Sequence, residues 1–193
     1  AAAESAGDLN GQAAMLIGLA HASHRLCRHE EAVGYLTCAI DKSLQGDWLE
    51  GHACAIGNLG IFYDAMGRLD EAAGCYTRAI ALARRHGWTM LLAGFLDSLG
   101  RHQHVAGNLA AAVDSLTESV RLSEVLGEAS TGTAYTLESL AGTYYAMGRL
   151  RDALRLAERA LDVCRHVGNR SHEITVLSLI ATIRADLGHS DQS

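Results

Sequence analysis

Proline is absent from all 193 residues, and aromatic side chains make up only 5%. A chain without proline has no obligatory helix breaker, which fits one made almost wholly of helix and short turns. With few rings available, the core must come from Ala, Leu, Ile, Val and Met, within a hydrophobic fraction of 49%. Small residues at that density suit helices packed at short range. There is no surplus of positive charge: the formal charge is −6 and the two signs are interleaved, which argues against a phosphate-binding surface for nucleic acid. No apolar run is long enough to span a bilayer. Residues 1–11 lack the basic start and apolar centre of a signal peptide. The five cysteines, at 27, 38, 54, 75 and 164, are odd in number and show no paired spacing. They read as small buried thiols in a reducing compartment, so the cytoplasm is the expected location.

Sequences that serve as phosphate or nucleophile loops are missing too. Gly57-Asn58-Leu59-Gly60 sits inside a helical pattern with no strand before it, so it is no phosphate cradle. The acidic pairs Glu30-Glu31 and Asp70-Glu71 fall at helix starts, where they suit the helix dipole better than acid–base chemistry. His21, His24 and Cys27 stand three apart on one helix, with His29 nearby, but the helix turns them away from a common point. His102 and His104, two apart, face different ways. No enzyme, cofactor or metal site is therefore expected.

What is present is repetition. AMGRLDEA at 65–72 returns as AMGRLRDA at 146–153, with weaker copies in VAGNLAAA at 105–112 and LCRHEEA at 26–32. Ala32, Ala72, Ala112 and Ala153 are equivalent, giving steps of 40, 40 and 41 residues. A fixed period in this range predicts stacked helical hairpins, each incomplete until a neighbour covers it. Gly46, Gly87, Gly127 and Gly168 recur as helix stops, each expected to take the left-handed conformation. Asp47 with Glu50, Asn108 and Ser171 are expected helix caps. A ninth helix should reach Leu187, with Gly188 opening a turn like that at Gly148.

The pattern Leu59-Gly60-Tyr63 followed by Ala72-Tyr76-Ala79 resembles the tetratricopeptide repeat, in a variant of about 40 residues. Leu140-Ala141-Tyr144 with Ala153 and Ala160 repeats it. Leu99-Gly100 with Ala112, and Leu19-Ala20 with Ala32 and Ala39, repeat it without the aromatic, having Gln103 and Ser23 there instead. The resemblance implies an all-α, right-handed α-α superhelix of four helical hairpins plus a ninth, terminal helix. It would form a single array over 11–193 after a tail at 1–10, with repeats near 12–47, 48–88, 89–128 and 129–169 and a partial one at 170–193. The style is that of tetratricopeptide regions in bacterial multidomain regulators, and similar units occur in animal polarity adaptors and kinesin light chains.

In that family the first helix of each unit lines a concave groove. The matching positions here are Ile17, His21, His24 and Arg25; Asn58, Ile61 and Asp64; Asp97, Ser98, Arg101 and His104; Glu138, Ser139 and Tyr145; and Ser178 and Thr182. The resemblance implies a protein or peptide segment as the partner, or a small effector or regulatory peptide if the module is a sensor. Asp97 and Glu138 stand where chaperone-binding members carry basic residues that grip a carboxylate, so that mode is not expected. Glycines 57, 94 and 142 fall on the same inner face, each costing about 1 kcal/mol of helix stability; close packing between units is the expected reason. Ile174, Leu177 and Ile180 should be poorly covered on the last helix. That face would serve self-association, or polar neighbours would make it an adequate cap.

Overall fold

The structure, a computed structural model, describes residues 8–127 and 130–190. Among them it contains nine α-helices: α1 (Leu9–Arg25), α2 (His29–Gln45), α3 (Leu49–Ala65), α4 (Leu69–His86), α5 (Thr89–Val105), α6 (Leu109–Val125), α7 (Thr131–Ala146), α8 (Leu150–Val167) and α9 (Arg170–Ser190). No strand occurs among the described residues. Two compact units divide between Phe95 and Leu96, inside α5.

In the first unit α1 packs on α2, α2 on α3 and α3 on α4, and α1 also touches α3. Its core is built from Ala20, Ala32, Leu36, Ala39, Ala55, Ile56, Leu59, Phe62, Cys75 and Ala79. In the second unit α6, α7, α8 and α9 pack in succession, and α7 also touches α9. Its core runs through Leu116, Leu137, Leu140, Leu156, Leu161, Val176, Ile180 and Ile183. Consecutive pairing with an added contact to the helix two along is what stacked hairpins require, because each hairpin leaves one face for the next to cover.

The equivalent alanines Ala32, Ala72, Ala112 and Ala153 have no exposed surface at all. Opposite them, a Cβ on Gly60 would lie 2.8 Å from the Tyr76 ring, and one on Gly100 would lie 2.5 Å from Leu116 Cγ. The helices of a hairpin are thus as close as their smallest residues allow. Tyr76, almost fully buried, fills the space this leaves and donates its hydroxyl to Asp64 Oδ2 at 2.8 Å. The third copy lacks the aromatic, and there Ser115 Oγ donates to Gln103 Oε1 at 2.8 Å.

The repeated Gly-Arg-Leu explains itself at the hairpin turns. Arg68 precedes α4, lies 4.4 Å over the Tyr63 ring and pairs with Glu71; Arg149 precedes α8, lies 4.5 Å over Tyr144 and pairs with Asp152. These pairs are exposed, so they contribute little to stability. Their role is to seat the arginine on the tyrosine and to put an acid on the first turn, where the helix dipole favours it.

Several local expectations are corrected. Gly46 does not take the left-handed conformation: its φ is −90°, and Asp47 does so instead at +54°. Gly46 is small for another reason, since a Cβ there would sit 2.1 Å from the Asn10 side chain. Asp47 tolerates the left-handed region because its side chain is short and polar. It therefore cannot cap α3, which begins after Trp48 with no side-chain cap. Asn108 stands at the start of α6 but makes no capping bond. The cap of α9 is Asn169, whose Oδ1 accepts from His172 N at 3.2 Å, rather than Ser171. Gly188 opens no turn, because α9 continues through it to Ser190; glycine permits a turn without imposing one. On α9, Ile174 and Leu177 are exposed as expected (71% and 41%), but Ile180 is buried. It shares the inward face with Val176 and Ile183, at helical spacing. Cys75 and Cys164 are buried, whereas Cys27 and Cys38 are exposed; all five thiols are free.

Cys27 occupies the hairpin-turn position that Gly67, Gly107 and Gly148 fill elsewhere, and it carries φ +59°. Forcing a side chain into the left-handed region costs about 1 kcal/mol. Cys27→Gly is therefore expected to raise the melting temperature by about 2–4 °C. Calorimetry showing an unchanged or lower value would contradict this reading of the turn.

Candidate functional site

In the second unit α5, α7 and α9 border an open cleft of about 500 Å³. Its lining follows helical spacing: Arg101, His104 and Val105 from α5; Glu138, Ser139 and Gly142 from α7; Thr175, Ser178, Leu179 and Thr182 from α9. Of the positions singled out from the sequence, Arg101, His104, Glu138, Ser139, Ser178 and Thr182 are brought together here. Val105, Thr175 and Leu179 were not foreseen. They lie three or four residues from predicted positions on the same helices, so extending the helical face would have found them.

Other predicted positions do different work. Ser98 is buried, and Tyr145 donates its hydroxyl to Asp186 Oδ2 at 2.6 Å, tying α7 to α9. Asp97 lies behind Arg101, whose Nη2 is 3.1 Å from Asp97 Oδ2. Its Oδ1 is buried with no hydrogen-bond partner. Burial pushes the Asp97 carboxyl above the ordinary range, with the Arg101 charge and the Thr136 hydroxyl opposing the shift.

Some of the cleft's polar groups are already engaged with neighbouring groups. Thr143 Oγ1 donates to the Ser139 carbonyl at 2.8 Å, which uses its one proton. His104 Nδ1 lies 3.0 Å from that hydroxyl oxygen, linking α5 to α7. Thr182 Oγ1 likewise donates to the Ser178 carbonyl at 3.0 Å. Glu138 Oε2 lies 3.3 Å from Nε2 of His172, whose side chain is 3% exposed. That nitrogen is within ion-pair reach but not aligned for a hydrogen bond, and it has no other partner. Tyr135 covers the imidazole, with ring centroids 3.9 Å apart.

The glycines on this face divide. Gly57 is a packing glycine, since a Cβ there would meet the Phe95 ring at 2.3 Å. At Gly94 and Gly142 a Cβ would meet nothing within 4 Å, so close packing, the expected reason, does not account for them.

In the first unit His24 stacks on Phe62 at 4.3 Å with the rings nearly parallel, and His21 meets the same ring edge-on at 5.7 Å. His24 Nδ1 is 3.2 Å from His29 Nδ1. Burial, then the charges of His29 and His21, hold the His24 pKa below its usual value. Arg25 is exposed, Asn58 half-buried, and Ile17 and Ile61 pack against the core. Asp64 is engaged by Tyr76. Among the described residues no three His, Cys, Asp or Glu side chains gather into a cation site. No helix among them is long and apolar enough to cross a membrane.

Comparison with known proteins agrees with the fold. The tetratricopeptide repeat family matches residues 11–85, 91–166 and 132–193. The chain belongs to the tetratricopeptide repeat family. No curated protein sequence matches it. Among solved structures, the fold is similar to the apo form of RapI, with TM-score 0.82 and 9% identity over 99% of this chain and 74% of that one. It is also similar to aspartyl phosphate phosphatase F from Bacillus subtilis (TM-score 0.78, 14% identity, 94% of this chain). There the chain spans about half the length of its relative, 47%. The nearly identical TPR-like repeats of a Podosopora anserina protein of kinesin-light-chain type align with TM-score 0.67 and 17% identity, over 90% of this chain and 95% of that one. At these identities the likeness is one of fold.

Asp97 offers a direct check on the electrostatics behind the cleft. Because its folded-state pKa is raised, the folded chain holds the proton more tightly than the unfolded one. Stability should then fall as pH rises from the ordinary carboxylate range through the raised value. Asp97→Asn is expected to add about 1 kcal/mol at pH 7, the gain shrinking as the solution is acidified. Urea titrations at neutral and acidic pH measure this; a variant less stable at pH 7 would contradict it.

Proposed function

We propose that the chain is a non-catalytic protein-binding module of a larger regulatory protein, which receives a segment of a partner protein in the cleft bordered by α5, α7 and α9. The observation that carries the reading is the lining itself. Three helices that are equivalent in the repeat turn the same face to one open space, and that face holds polar groups beside Val105 and Leu179. The family assignment supports a scaffold of stacked hairpins, whose exposed inner helices are free to vary without loss of the core. The free thiols fit a reducing, cytoplasmic setting, and the repeat style fits a bacterial regulator.

A second reading is favoured by the size of the cleft. About 500 Å³ lies within the range of small-molecule sites, so a sensor that binds a metabolite or short regulatory peptide is the alternative.

Gly142 makes the proposal testable without harming the fold. It lies on the cleft wall with open space where a side chain would go, so Gly142→Trp should fill the cleft and leave the helix intact. Peptides selected from a displayed random library on the wild-type chain are expected to bind Gly142→Trp about tenfold more weakly or worse, at an unchanged melting temperature. Selected peptides that bind both chains equally would overturn the cleft as the site. A library that yields nothing, beside a metabolite screen that yields a thermal stabiliser lost in Gly142→Trp, would move the conclusion to the sensor reading.

A further inference from the structure

The first helix bares an apolar face at positions that α3 and α7 bury. Met15 and Leu19 on α1 are 49% and 48% exposed, Ala22 is exposed, and the stripe runs on to Leu26 at 65%, all in helical spacing. Forty residues on, in the register of Ala20 and Gly60, the same positions of α3 are Ala55, Leu59 and Phe62, exposed by 0%, 8% and 1%. In α7, in the register of Ala141, they are Thr136, Leu140 and Thr143, likewise buried. What buries them is the hairpin before. The helix α2 packs on α3 and α6 packs on α7, and Ala55, Leu59 and Phe62 share one core cluster with Leu36 and Ala39 of α2. A helix that ends a stack needs a polar outer face; α1 has the outer face of a helix inside one. The sequence ahead of it is punctuated to match. Gly7-Asp8 stands before α1 as Gly46-Asp47 stands before α3, where Gly46 caps α2.

We propose that the stack continues upstream: the second helix of a further hairpin, lying before Asp8 in the same polypeptide, seats on Met15, Leu19 and Ala22 as α2 seats on α3. Its covering face carries a leucine and an alanine one turn apart, as Leu36 and Ala39 are on α2. The surface is of the same kind as the interface already formed between hairpins, and it uses none of the helices that border the cleft. The proposal rests on the chain being part of a larger protein and is independent of what the cleft binds.

The test follows position 19 in two settings, the 193-residue chain and the longer protein that contains it. In the first, Leu19→Cys should react with a maleimide as an exposed thiol does. In the second it should react at least about tenfold more slowly, with mass spectrometry separating this site from the exposed Cys27 and Cys38. A second variant needs only the chain itself. Leu19→Glu should leave its melting temperature within about 1 °C, because the position is open. Once a copy of residues 8–47 is placed directly ahead of Asp8, giving α1 an α2 to receive, the same substitution should lower the melting temperature by about 5 °C or more. Equal labelling in the two settings, or an equal effect of Leu19→Glu with and without the copied hairpin, would overturn the proposal. So would a chain that light scattering shows to be dimeric until Leu19→Glu is introduced, since the occupant would then be a second copy. None of these readouts involves the cleft. Protection at position 19 beside peptide binding that Gly142→Trp leaves unchanged would keep the longer stack and remove the cleft, and the converse result would keep the cleft and remove this proposal.

Discussion

Everything in this molecule depends on how near two helices can come. At matched positions in successive hairpins the chain places Ala20, Gly60, Gly100 and Ala141 on one helix and Ala32, Ala72, Ala112 and Ala153 on the next. All are buried, and all six alanines are fully so. Helices in such close contact lose little space to side chains, so the core needs few rings, and the rings it has fill defined gaps. Tyr76 and Phe62 are the largest fully buried side chains. Close packing also explains why hydroxyls between the two helices of a hairpin are bonded across it, as in Tyr76 on Asp64 and Ser115 on Gln103. A buried hydroxyl with no partner would cost more than the contact returns.

That constraint leaves the opposite faces free. The inner faces of α5, α7 and α9 supply few of the buried core residues of the second unit, so they are freer to vary. This division of labour is why the fold is shared with chains of 9% to 17% identity while the lining is not expected to be. The positions that preserve the fold are small and apolar; those bordering the cleft include Arg, His, Glu, Ser and Thr.

The repeat made much of the fold legible. The stacked helical hairpins could be read because hairpin turns and alanines recur in step. One discrepancy was present in the sequence itself. The alanines step by 40 from Ala32 to Ala72, but the glycines step by 41 from Gly46 to Gly87. That one-residue slip marks Asp47, not Gly46, as the left-handed position. The end of α9 was less legible, because a glycine's freedom says nothing about whether a turn is required. At the cleft, helical spacing located the face but not the depth of each residue. Nothing in the local pattern around Asp97 announces its burial, and no spacing rule links Glu138 to His172, 34 residues on, or Tyr145 to Asp186, 41 residues on. Those pairings are set by how neighbouring helices cross.

The claim that helix proximity governs the fold predicts that one substitution will change sign with position. Within an open helical site Gly→Ala stabilises by about 1 kcal/mol, because alanine restricts the unfolded chain. Gly142 is such a site, whereas at Gly100 the added methyl would meet Leu116 Cγ at 2.5 Å and the Ala112 carbonyl at 3.3 Å. Equilibrium denaturation of Gly142→Ala and Gly100→Ala is therefore the most direct measurement. The first should gain about 0.5–1 kcal/mol and the second should lose about 1–3 kcal/mol. Gains of equal size at both positions would show that the helices are not held at their closest approach, and the account would fail.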